Sequence, residues 1–230
     1  MTFENMQIEL KDRLTVVSGD TFITDTMIKR WLNIGLHWAL NYKRWPLLQK
    51  KFTDAIDATG TYPYQSNMKT KSCYLITVAG ERYVKIRYED YLKYLEDDST
   101  GDDRVWSEFD RDIFINGNAC TVGDAVIMFA YEDVTDLSAI GDTSPFASAE
   151  PAGDEAIIKY AEAIGIKKFG GSLTEARSAE MSAEAILASV WARISEAMPR
   201  EVLKATPLFR RINILDGTTE DTDPNNIGNF

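Results

Sequence analysis

The residues that carry most protein chemistry are scarce in this chain. It has one histidine, His37, and two cysteines, Cys73 and Cys120, in 230 residues. The cysteines lie far apart, which excludes a disulfide framework and gives no zinc-ligand spacing. Two buried free thiols in a reducing compartment are expected. His37 has no neighbouring ligand and reads as a packing or surface residue. Long apolar runs are also missing. The longest, Ala125–Tyr131, falls far short of the roughly 20 residues that span a bilayer. Met1–Leu10 alternates charged with apolar residues, unlike a secretory leader, so a soluble chain with no membrane contact is expected. Basic residues are outnumbered, 25 against 36 acidic, for a net charge of −11. Such a surface repels phosphate backbones and disfavours tight nucleic-acid binding. Gly170-Gly171-Ser172 lacks the strand and lysine of a phosphate-binding loop and reads as a turn between helices.

What is present is ordinary globular material. Hydrophobic residues make up 44% and charged residues 27%, enough to bury a core. Phe3, Met6, Leu10, Leu14 and Val17 predict a helix over Phe3–Val17 with Thr2 as its cap. A second helix is expected over Asp25–Arg44, capped by Thr24, with Pro46 forcing its end. The period then shortens. Strands are expected at Gln49–Ala58, Thr61–Gln65, Cys73–Val78, Arg82–Ile86, Val105–Phe109, Asp112–Asn116 and Ala125–Tyr131, with a short helix at Tyr88–Glu96. Asp136–Gly153 reads as loop. Helices return at Asp154–Phe169 and, as an alanine-striped run, at Leu173–Met198. The segment from Thr206 to Phe230 has no helical period and reads as an extended arm.

The expected fold is therefore α+β: a helical bundle of two helical hairpins with an inserted antiparallel β region and an extended C-terminal arm. The expected division is an N-terminal hairpin at 1–48, a β-rich insertion at 49–135, a second hairpin at 136–200 and the arm at 201–230.

Few residues carry a candidate chemistry. Asp97, Ser99, Asp103 and Glu108 fall at the first, third, seventh and twelfth places of a calcium loop, but Gly101 comes one residue early and Asp102 takes the glycine's place. A solvated acidic loop is the simpler reading, and calcium binding the sharper one. Tryptophans and tyrosines cluster at Trp31, Trp38, Tyr42 and Trp45, and again from Tyr62 to Tyr94. Such rings are more often core and interface than base-stacking platforms. Lys43, Arg44, Lys50 and Lys51, then Lys69 and Lys71, gather against the acidic background. They read as solvated charge or as a docking patch for an acidic protein.

The order of segments carries a resemblance. "WLNIGLHWALNYKRWPLL" is followed by "FTDAIDATGTYPYQ", by "CYLITVAGERYVKIRYEDYLKYL" and by "WSEFDRDIFINGN". "SPFASAEPAGDEAIIKYAEAIGIKKFGG" then leads into the alanine-rich helix. Over about residues 1–200 this layout resembles the head–tail adaptor proteins (connector, or head-completion, proteins) of tailed bacteriophages. The long β insertion departs from the smallest members. The resemblance implies a structural virion protein and not an enzyme, without cofactor. It implies a homo-oligomeric ring, typically twelvefold, in the neck between capsid and tail. The ring would bind the portal protein, extend the DNA channel without binding DNA specifically, and dock tail or neck proteins. It also implies that the arm docks into the portal, with Phe209, Arg210, Arg211, Ile212, Ile214 and Phe230 as its contact residues. The alternatives are a tail-completion or neck protein of the same particle and a non-viral, calcium-responsive interaction module.

Overall fold

A computed structural model describes residues 1–15, 22–97, 103–169 and 171–197. The arm residues Phe209, Arg210, Arg211, Ile212, Ile214 and Phe230 lie outside the described residues, as does most of the acidic loop between Asp97 and Asp103.

Helix α1 (Phe3–Arg13) starts where Thr2 accepts a hydrogen bond from the Asn5 N–H at 3.4 Å, as expected of a hydroxyl cap. It stops short of Val17 because Thr15 takes a left-handed φ of 54°, which a helix does not tolerate. Helix α2 (Asp25–Tyr42) is capped by Thr24 in the same way. Its end is set by the chain ahead of Pro46, where Lys43 is already extended. Turning the chain there removes the amide that would have bonded the Ala39 carbonyl. The Trp45 indole N–H donates to that oxygen instead, at 2.8 Å in a buried setting. Trp45 then meets Phe146 and Trp191 edge-on, at 5.0 and 5.5 Å between ring centres.

The other helices are α3 (Tyr88–Glu96), α4 (Phe146–Ala149), α5 (Ala152–Lys168) and α6 (Leu173–Ala197). Helix α5 begins two residues before the expected Asp154, and α4 also falls inside the segment Asp136–Gly153 expected to be loop; Phe146 of α4 lies on Gly153. A Cβ there would come within 2.3 Å of the Phe146 ring, so the first turn of α5 accommodates only glycine at that contact. Helices α1, α2 and α5 share one core with Leu187 and Val190 of α6. The closest approach is between α2 and α5, where a Cβ on Gly35 would lie 2.7 Å from the Ile157 carbonyl oxygen. Segments more than a hundred residues apart in sequence thus close a single interior.

Between them runs a seven-stranded, curled sheet in the order β1-β7-β3-β4-β5-β6-β2. Its strands are β1 (Gln49–Ala55), β2 (Thr61–Pro63), β3 (Leu75–Val78), β4 (Glu81–Lys85), β5 (Val105–Phe109), β6 (Asp112–Ile115) and β7 (Ala125–Tyr131). Alternate residues face inward: Val126, Met128 and Ala130 on β7, Ile76 and Val78 on β3, Ile113 and Ile115 on β6. With Phe52, Tyr62, Tyr83 and Trp106 they form a second core. The two edge strands lie near one another, since Gln65 Nε2 donates to the Thr53 carbonyl at 3.0 Å and the Asp57 N–H to the Tyr62 hydroxyl at 3.0 Å.

The sheet departs from the all-antiparallel expectation at one place. β4 and β5 are parallel, with Val84 opposite Val105 and Lys85 opposite Trp106. The short helix α3 is the crossover that a parallel pair requires, so the segment between β4 and β5 makes a βαβ unit instead of a hairpin. The two true hairpins turn at Ala79-Gly80 and Asp110-Arg111, whose φ values of 51°, 85°, 47° and 70° are all positive, as tight two-residue turns need. Met1–Ile194 is one compact unit holding both cores.

The Gly35–Ile157 contact is directly testable. Gly35→Ala should lower stability by about 1–3 kcal/mol through overpacking against backbone, read as a shifted midpoint in urea unfolding. An unchanged midpoint would show that the helices are free to separate.

Candidate functional site

His37 lies on α2, half exposed, with Nε2 2.7 Å from Asp136 Oδ1. One turn earlier, Asn33 makes a two-way bond to the backbone of Leu137: its Nδ2 donates to the carbonyl at 3.1 Å and its Oδ1 accepts from the N–H at 2.9 Å. The pair pins the connection after β7 to α2, and the histidine serves that anchoring. Cys73 is buried, and Cys120 is only partly so. The thiols are spent on backbone carbonyls. Cys73 Sγ faces Leu75 O at 3.9 Å, and Cys120 Sγ faces Asn116 O and Gly117 O at 3.6 Å. Burial pushes the Cys73 thiol up to about 11, which removes thiolate at neutral pH. No group of three potential metal ligands occurs among the described residues.

Two polar clusters are buried. In the first, the Asp154 carboxylate is almost fully enclosed and receives the Met1 α-amino group at 2.6 Å and the Ser144 hydroxyl. Ser144 Oγ in turn accepts from the Phe146 N–H at 3.0 Å. Every strong acceptor there serves the start of α4 and α5, so the cluster is structural.

The second cluster lies on the sheet. Lys85 of β4 reaches Glu108 Oε2 of β5 at 2.5 Å, donates to the Cys73 carbonyl at 3.2 Å, and rests 4.6 Å from the Trp106 ring centre. The Glu108 side chain is only 8% exposed, and its Oε1 has no hydrogen-bond partner. Burial raises the Glu108 carboxyl to about 7 and lowers Lys85, each towards its neutral form. Glu108 is the twelfth residue of the calcium-loop pattern. Its engagement by Lys85 leaves that pattern without its terminal ligand.

Concave surface is limited. An open groove of about 490 Å³ runs between α1, α5 and α6. Arg13 lies in it, 2.9 Å from Glu9 and 2.8 Å from Glu155, with Glu162 at 3.5 Å. Burial works against the guanidinium charge, and the Glu9 and Glu155 carboxylates outweigh it, so its pKa is raised. A charge so surrounded by carboxylates positions helices, although Arg13 Nη1 itself makes no hydrogen bond. A second, shallower groove runs along α6 beside Arg177 and Met181.

The aromatic residues separate into packing and surface. Trp31 meets Phe169 at 5.6 Å, and Trp38 stacks on Tyr160 at 4.1 Å, nearly parallel, across the α2–α5 seam. Tyr88 stacks on Phe109 at 4.4 Å and holds α3 to the sheet. None forms a free platform for a base. The basic residues, by contrast, do converge: Lys69 Nζ bonds Asn41 Oδ1 at 3.1 Å, which brings it to the end of α2 beside Lys43 and Arg44. Sequence reasoning missed Asn33, Ser144, Asp154 and the Lys85–Glu108 pair. Only the parallel register of β4 and β5 would have revealed the last of these.

Raising a carboxyl pKa in the folded state means that folding takes up a proton between the unfolded value of 4.5 and about 7. Stability should therefore fall as pH rises through that window. Glu108→Gln should flatten the slope, as measured by thermal melts from pH 4.5 to 7.5, whereas an identical slope in wild type and variant would contradict the assignment. No family model matches the chain, and no curated protein matches it.

Proposed function

We propose that this chain is a structural adaptor of a tailed-phage particle, forming a ring between portal and tail and working without catalysis or cofactor. The observation that carries the reading is the joining of α2 to α5 across the β segment. It supports one part of the layout by which the sequence resembles such adaptors: helices before and after the β region share one core. The two hairpins and the C-terminal arm belong to the proposal.

The chemistry of the buried groups is compatible with that role. Ion pairs at Asp154, Glu108 and Arg13 hold elements together. The net charge of −11 lets a ring lumen pass DNA by repulsion where a basic lumen would hold it. A compact two-core body suits many copies packed side by side through a heterologous contact that closes on itself. In this reading the protein resides in the virion neck and contacts the portal protein on one side and tail or neck proteins on the other. The arm residues Phe209, Arg210, Arg211, Ile212, Ile214 and Phe230 supply the portal contact.

Electron microscopy of the chain mixed with the portal protein of the same particle should show coaxially stacked rings. Truncation after Lys204 should leave the melting temperature within a few degrees and abolish portal capture in a pull-down. Equal capture by full-length and truncated chains would remove the arm from the account, and absence of capture by the full-length chain would remove the adaptor role.

A further inference from the structure

Two exposed faces, one on α3 and one beside the end of α2, have opposite charge and matching apolar content. The first is the outer side of α3. Its apolar residues Tyr88, Tyr91, Leu92 and Leu95 recur at helical spacing, but the sheet covers only part of that stripe. Tyr91 is buried, while Leu92 is 41% and Leu95 51% exposed. Flanking the two leucines are Glu89, Glu96 and Asp97, all exposed, with Lys93 as the one opposing charge along the helix. None of these carboxylates makes an ion pair among the described residues. α3 lies over β5 and β6, through Tyr88 on Phe109 and Tyr91 near Phe114.

The second face lies around β1, β7 and the end of α2. Lys43 and Arg44 are exposed there, and the bond from Lys69 to Asn41 adds a third cation from a distant part of the chain. Tyr42 sits beneath Lys43 at 5.7 Å, and Tyr74, 46% exposed, pairs with Tyr131 at 5.9 Å. Aromatic rings among cations form the composition that protein interfaces favour. Lys50 on β1 is balanced by Glu132 at 2.5 Å, whereas Lys43, Arg44 and Lys69 make no ion pair among the described residues.

We infer that these faces are partners: the leucine–carboxylate side of α3 in one copy docks on the basic–aromatic face beside α2 in the next. Leucines against tyrosines provide the apolar contact, and three carboxylates against three cations set its orientation. The two faces are built from different residues of the chain, so a contact between them is head-to-tail, and it generates a ring when the rotation closes. The inference rests on the adaptor reading for its biological setting and supplies the subunit contact that the reading needs.

The test uses two charge-reversed full-length chains, Lys43→Glu/Arg44→Glu and Glu89→Lys/Glu96→Lys, studied by sedimentation velocity up to about 1 mM in low salt. Wild type should self-associate, and each variant alone should do so at least tenfold more weakly. An equimolar mixture of the two should recover association, because every junction then again joins opposite charges. Circular dichroism melts confirm that both variants fold, since all four side chains are exposed. Two results would overturn the inference: variants that associate as strongly as wild type, or a wild type and a mixture that both remain monomeric over the whole range. Neither touches the adaptor reading, which stands or falls on portal capture.

Discussion

The close approach of α2 and α5 at Gly35 organises the whole molecule. Only a residue without a side chain lets the Ile157 carbonyl come so near. Once the two helices meet there, Trp38 can stack on Tyr160, and the groups that hang from their ends fall into place. Trp45 caps the Ala39 carbonyl and packs against Phe146 and Trp191, so the ends of α2, α4 and α6 share one aromatic joint. Asn33 and His37 fasten the returning chain to the same helix. The β segment is thus tied at both of its ends to α2, one end through Trp45 and Leu48, the other through Leu137.

That arrangement explains why two cores coexist in one compact unit. The helical core is sealed by side chains from both ends of the sequence. The sheet, curled so that its edge strands approach, seals the second. Edge strands are a hazard when flat and exposed. Here β1 carries Lys50 and Lys51, and β2 is short and holds Pro63, both of which discourage unwanted strand pairing.

Much of the fold was legible in the sequence, for physical reasons that differ by element. α3, β5 and β7 match their expected limits, because each is a strongly periodic run with clear breaks on both sides. Both threonine caps act as such, because a hydroxyl one residue ahead of an apolar period has few other uses. What escaped was non-local. The parallel pairing of β4 with β5 depends on α3 acting as a crossover, which sequence spacing alone does not distinguish from a loop between hairpins. The Lys85–Glu108 pair follows from that register and was hidden with it. Glu108 read as the end of a calcium loop because its sequence neighbours are acidic, yet its spatial neighbours are Lys85 and Trp106. The basic cluster was legible as a grouping in sequence, but the position of Lys69 against Asn41 of α2 follows only from the fold.

The central claim is that α2 and α5 form one cooperative body despite their distance in sequence. Native-state hydrogen exchange across a urea series measures this directly, residue by residue. The account expects the amides of Leu32–Leu40 and of Ile157–Ala163 to open in the same event, with the same free energy and the same urea dependence. If the α5 amides exchange through a separate and weaker opening while α2 stays protected, the two helices are neighbours and not one body, and the account is wrong at its root.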